Sequence, residues 1–181
     1  MLSSLKRLLN PRATSRGTIE AIYGMIVAQA REPLFYQAFS VPDTVDGRFD
    51  MVVLHLWLAL RRLREVTGAA ALSQALFDCF CSDMDANLRE MGVGDLTVPK
   101  RMQKFGEAFY GRSAAYDAAV DPLALRAALA RNVLNSADPD RAAALAAYVE
   151  TAAAALGAVS GADIVAGAFR FPAPKAEGGL P

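Results

Sequence analysis

Asp43, Asp46, Asp50 and His55 stand close together where a polar turn runs into an apolar helix, VPDTVDGRFDMVVLHLWLALRR, residues 41–62. Oxygen donors such as these carboxylates suit a divalent cation. An acid that orients a histidine is also part of a nucleophilic triad. The rest of either machine is hard to find. His55 is the sole histidine of the chain. No nucleophile elbow or glycine-rich phosphate loop occurs, and Gly92 and Gly94 lack the remainder of a dinucleotide fingerprint. The acids have a structural use as well, because helix N-termini favour negative charge and short capping side chains. His55 then becomes a polar-strip residue that pairs with an acid or touches a partner. The residues therefore predict no catalytic residue, no metal and no cofactor. A small metal-dependent enzyme on Asp43, Asp46, Asp50 and His55 stays open as the alternative.

Cys79 and Cys81 lie two apart in a helical stretch, so their side chains point about 200° apart. That geometry is poor for a disulfide, and a cysteine pair without nearby histidine is a weak zinc site. They read as small buried thiols in a reducing compartment. Nineteen Lys and Arg balance nineteen Asp and Glu, so no global field points to nucleic acid or to acidic substrates. Hydrophobic residues make up 54% of the chain, which argues for an ordered body. No run of 18 apolar residues is free of charge, and no secretory signal is evident. The expected location is cytoplasmic, with peripheral attachment at the inner face of the cytoplasmic membrane as an extension.

The elements that must position these residues are helices. From Arg48 onward, Phe49, Val52, Val53, Leu56, Trp57, Leu60 and Leu63 share one broad face, with Met51, Leu54 and Leu58 opposite. A narrow strip of Arg48, His55, Ala59 and Arg62 runs between them. A helix apolar on most of its circumference is buried on most of it. The pattern predicts an all-α, single-domain helical bundle of about six to seven helices around this central apolar helix. Thr18 caps an expected helix to about Arg31, and Pro33 to Phe39 forms a short second one carrying Phe35, Tyr36 and Phe39. Helices are expected over about Leu72–Met91, from Thr97 or Asp95 onward, over Pro122–Asn135, and from Asp138 to Leu156. Residues 1–16 read as a basic amphipathic lead with Lys6, Arg7, Arg12 and Arg16, ended by Pro11. Such a lead suits an anionic lipid surface, and a peripheral membrane module is a second alternative. Residues 17–168 form the expected helical domain. Residues 169–181 read as a disordered Pro/Gly tail.

Charge is grouped along the chain. Asp78, Asp83, Asp85 and Glu90 make one acidic helix, while Lys100, Arg101 and Lys104 cluster at the start of the next. Solvated faces explain both; a docking surface explains them too if an apolar centre lies between charged rims.

Several ordered blocks carry a family resemblance. IYGMIVAQAREPLFYQAFSVPD, VPDTVDGRFDMVVLHLWLALRRL, FCSDMDANLREMGVGDLTVPKRMQKFGEAFYGR and AYDAA resemble the ubiquinol–cytochrome c chaperone family over roughly residues 17–120. The resemblance implies a non-enzymatic, all-helical assembly factor for the cytochrome bc complex, of bacterial type. Its implied partner is cytochrome b, nascent or newly inserted, with the ribosome or the inner-membrane surface as further contacts. No specific nucleic-acid recognition is implied. The implied client surface includes Phe35, Tyr36, Asp43, Asp46, Arg48 and His55, with Lys100, Arg101, Lys104 and Arg112 on the later helix. No catalytic residue is carried over.

Overall fold

The computed structural model describes residues 11–175, with side chains from residue 16 onward. Its elements are α1 (Pro11–Ala30), α2 (Pro33–Ala38), α3 (Val45–Arg64), α4 (Ala70–Glu90), α5 (Val98–Asp117) and α6 (Pro122–Asn132). A 3-10 turn (Pro139–Ala142), α7 (Ala143–Ala158) and α8 (Gly161–Ala166) complete them. No strand occurs among the described residues.

The central position belongs to α3. Its turn is built by short polar groups: the Thr44 hydroxyl accepts from the Gly47 amide at 3.1 Å, and the Thr44 amide donates to the Pro42 carbonyl at 2.9 Å. Gly47 is indispensable there, because a Cβ would lie 2.0 Å from the Pro42 oxygen. From Asp50 to Ala59 every residue is buried. Both apolar faces are therefore used, and each large side chain removed from water stabilises by roughly 1.5–3 kcal/mol. Of the strip expected between those faces, His55 and Ala59 are buried, while Arg48 is exposed and Arg62 partly so. Arg62 turns its guanidinium onto the C-terminal end of α7, donating to the carbonyls of Leu156 (3.0 Å) and Val159 (2.8 Å). A cation at a helix C-terminus satisfies orphan carbonyls and complements the dipole.

Around α3 pack α1, α4, α5, α7 and the short α8. An aromatic chain binds α3 to the α4–α5 hairpin: Phe49 lies 6.2 Å from Phe80, which lies 5.9 Å from Phe109. Asp121 caps α6 and Asp138 caps the 3-10 turn, as short acids do where backbone donors are orphaned.

The N- and C-terminal expectations need correction. Residues 1–10 of the basic lead lie outside the described residues. From Pro11 the backbone is already helical, so Pro11 opens α1 instead of ending a turn, and Thr18 sits inside the helix. Proline is at home in a first turn because its missing N–H has no partner to lose. The tail expected from residue 169 is packed as far as Pro174. Gly167, at φ +72°, ends α8 in the left-handed region and turns the chain back. Phe169 and Phe171 then enter the core, 6% and 7% exposed. We call residues 168–175 the strap; two aromatic rings offset its Pro-rich composition.

Candidate functional site

Where α1 and α4 finish and α3 and α5 begin, the four helices leave a groove of about 720 Å³. Its floor is apolar: Val27, Phe49, Val52, Met84, Leu88 and Phe105. Phe49 and Phe105 stack at 5.0 Å between ring centres. Val45 and Met91, 71% and 58% exposed, stand at its mouth. Its rim is charged with both signs: Arg31, Arg48, Arg101 and Lys104 against Asp46, Asp83 and Glu90. An apolar centre with a polar rim is the anatomy of a protein-binding surface.

A recess of about 250 Å³ adjoins it, lined by Arg31, Pro33, Tyr36, Gln37, Asp43 and Arg48. Arg48 lines both. Its Nε donates to Asp43 Oδ1 at 2.7 Å, and its guanidinium lies 6.0 Å from the Tyr36 ring centre. The Arg48 hydrogen bond holds the Asp43 carboxyl below its ordinary range. Burial raises the Tyr36 phenol, whose hydroxyl donates to the Ala30 carbonyl at 2.6 Å.

Beneath the floor is a buried charge pair. Asp50 is 2% exposed, and its Oδ1 lies 2.7 Å from Arg112 Nη2. The Arg112 guanidinium also lies 5.8 Å from the centre of the Phe49 ring. Burial pushes the Asp50 carboxyl up to about 6, against the pull of Arg112. Such a pair costs desolvation, and its use is to fix geometry. Here it ties α5 to α3 behind Phe49.

The ten residues implied as a client surface therefore divide. Asp46, Arg48, Arg101 and Lys104 line the groove; Tyr36 and Asp43 line the recess. Lys100 is exposed on the first turn of α5. Arg112 lines neither the groove nor the recess and is partly exposed. Phe35 and His55 are corrected. Phe35 is fully buried, 4.8 Å from the Tyr148 ring and 5.4 Å from Phe39. Arg112 is spent on Asp50. His55 is fully buried with both ring nitrogens engaged. The Met51 carbonyl, 2.8 Å from Nδ1, can only accept, so Nδ1 carries the proton. Nε2 then accepts from the Tyr148 hydroxyl at 2.8 Å. Gln29 Nε2 donates onward to Tyr148 (3.2 Å) and to the Pro172 carbonyl of the strap (3.0 Å). Burial pushes the His55 imidazole down to about 4. His55 is a structural hub, not a contact for a partner.

The metal-site alternative fails on the same geometry. His55 and Asp50 have other partners, and Asp43 is paired with Arg48. Among the described residues no group of three or more His, Cys, Asp or Glu side chains is disposed to hold a metal ion. Cys79 and Cys81 are free thiols, half-buried, and burial pushes both upward. A second groove, of about 670 Å³, lies at the other end of the α3–α4–α5 interface and includes Trp57, Leu60, Phe77 and Tyr110. Asp117 sits beside it, accepting from Trp57 Nε1 at 2.8 Å and pairing with Arg64 at 3.0 Å. Phe49, Met84 and Phe105 recur at the helical period of core stripes, yet all three are only half-buried. Their position near helix ends, where four helices diverge, is the signal that they are only partly covered, whereas Leu88 beneath them is 1% exposed.

A helical body that presents an apolar floor between charged rims has the anatomy of a protein-binding module. The chain belongs to the ubiquinol-cytochrome C chaperone family, whose model matches residues 37–171. It is 29% identical over 136 residues to the ubiquinol-cytochrome-c reductase complex assembly factor 1 of Xenopus laevis, covering 72% of this chain and 68% of that protein. The corresponding mouse factor is 27% identical over the same share of this chain, and the match spans 46% of its length. The crystal structure of the Cbp3 homolog from Brucella abortus superposes with a TM-score of 0.82 at 40% identity, covering 95% of this chain and 97% of that one. The frog and mouse relatives are named as assembly factors, and the family as a chaperone. Among the described residues no helix is long and apolar enough to cross a membrane.

Proposed function

We propose that this chain is a non-catalytic assembly chaperone of the ubiquinol–cytochrome c reductase complex, and that its client is newly made cytochrome b. The groove carries the reading: an apolar floor that includes Met84, with Met91 at its mouth and a rim of both charge signs, in a chain of this family. A membrane-protein client exposes apolar helices before assembly, and a chaperone must cover them reversibly. Met84 and Met91 suit that task because the flexible, polarisable thioether adapts to varied apolar partners. The rim discourages purely apolar aggregation and sets the register of the bound segment. Asp46 and Arg48 stand where the segment enters, beside the Tyr36–Asp43 recess. The reading puts the protein in the cytoplasm, working at the inner face of the membrane.

The test is a crosslinked pull-down of the tagged protein from cells making cytochrome b, read by mass spectrometry. Cytochrome b is the expected capture, reduced by Asp46→Ala or Arg48→Ala with melting temperature retained. A deletion strain should lose cytochrome b and the assembled reductase while other respiratory complexes persist. Normal reductase in that strain would sink the reading.

A further inference from the structure

The loop between α4 and α5 displays a leucine that the fold makes no attempt to cover. Leu96 is 99% exposed. Its display is fixed. Leu88 and Val98, each 1% exposed, anchor the loop on both sides. Gly92 reverses the chain at φ +78°, and the Thr97 amide donates to the Gly94 carbonyl at 2.8 Å, closing a turn with Leu96 inside it. Beside it, Lys100, Arg101 and Lys104 stand exposed at the start of α5. Cations at a helix N-terminus oppose its dipole, and that first turn contains no acid. None of the three forms an ion pair among the described residues. The nearby loop acid, Asp95, is held by Arg89, which also binds Asp85. Glu90 and Asp46 share the groove rim with Arg101 and Lys104 without pairing with them. Met91 and Val45 add exposed apolar surface at the same end.

We propose that this end of the bundle docks on an anionic phospholipid surface, with Leu96 entering the interface and Lys100, Arg101 and Lys104 facing the phosphates. A protruding apolar side chain beside exposed cations that form no ion pair fits the boundary between acyl chains and charged headgroups. Docking in this way brings the groove mouth beside the bilayer. The proposal does not depend on the identity of the client.

The experiment uses the full chain with vesicles of phosphatidylcholine, alone or mixed with phosphatidylglycerol, at low and raised salt. Cosedimentation is expected only with the anionic vesicles and is lost as salt is raised. Joint replacement of Lys100, Arg101 and Lys104 by Gln should weaken partitioning about a hundredfold, or about fivefold for each basic residue. Leu96→Asp should weaken it at least tenfold. Melting temperatures unchanged in both variants exclude loss of fold. Wild-type binding in both variants, or binding lost only on removing residues 1–10, overturns the proposal.

Discussion

His55 carries its largest consequence in its titration. The folded imidazole is held near 4 by burial, whereas an unfolded chain takes up the proton near 6.5. Native stabilisation from His55 is thus complete above pH 6.5 and lost as pH falls from there to about 4, on the order of 3 kcal/mol in all. Asp50 works in the opposite sense. Its folded carboxyl accepts a proton near 6 and the unfolded one near 3.8, so its contribution grows as pH falls through that window. The two effects oppose each other between about pH 6 and 4. Denaturant midpoints measured across that window should stay nearly flat for the wild type. His55→Ala should be destabilised by about 3 kcal/mol at pH 7.5, with the deficit shrinking as pH approaches 4; a constant deficit would show that His55 is not held neutral. Gly47 gives a second check at the same scale. Adding a Cβ brings it against the Pro42 oxygen, and overpacking of this kind costs about 1–3 kcal/mol. Gly47→Ala should melt lower by that amount and disturb the groove edge at Val45 and Asp46. Gly47 and Thr44 are legible in the sequence as turn formers, because small and short polar side chains announce that role locally. His55 was placed in a polar strip because nothing local reveals that α7 brings Tyr148 against it.

At the scale of elements, helical period served well for α3 and less well for what surrounds it. An apolar residue every three or four positions is a local signal, so the central helix and the hairpin α4–α5 could be read directly. The strap could not. Its Pro and Gly content resembles a tail, and the signal against that reading was the pair Phe169 and Phe171 spaced to face one side of an extended chain. Those rings complete a layer with Phe35, His55 and Tyr148; the Phe171 ring centre is 5.1 Å from that of His55. Phe171→Ala should therefore cost about 3 kcal/mol or slightly more, measured by chemical denaturation. Gln29→Ala should cost less, about 1–2 kcal/mol, because it leaves Tyr148 with its His55 bond and removes one bond to the strap. Equal effects of both changes would mean the strap is held by its hydrogen bond rather than by its rings.

For the whole molecule, the groove proposed to take the client and the hub that holds the fold use different residues. The hub of Gln29, His55, Tyr148 and the strap lies on the α1–α3–α7 side, while the groove lies among the first turns of α3 and α5 and the last turns of α1 and α4. A substitution in one should leave the other largely intact, since well-separated sites add. Met84 is the sharpest probe. It is half-buried on the floor of the groove, so Met84→Glu places a charge where an apolar segment is proposed to lie, yet the carboxylate can still reach water past Val45 and Met91. The expected loss of stability is about 1 kcal/mol or less, and the expected loss of cytochrome b in the crosslinked pull-down is at least tenfold, because a charge must be desolvated against the client. His55→Ala should give the converse result: a lower melting temperature with capture per folded molecule unchanged at a temperature where both proteins are folded. Should Met84→Glu capture cytochrome b as well as the wild type, the groove is not the client site. Should His55→Ala lose capture in proportion to Met84→Glu while still folded, the two regions are coupled and the binding surface extends to the strap side of the bundle.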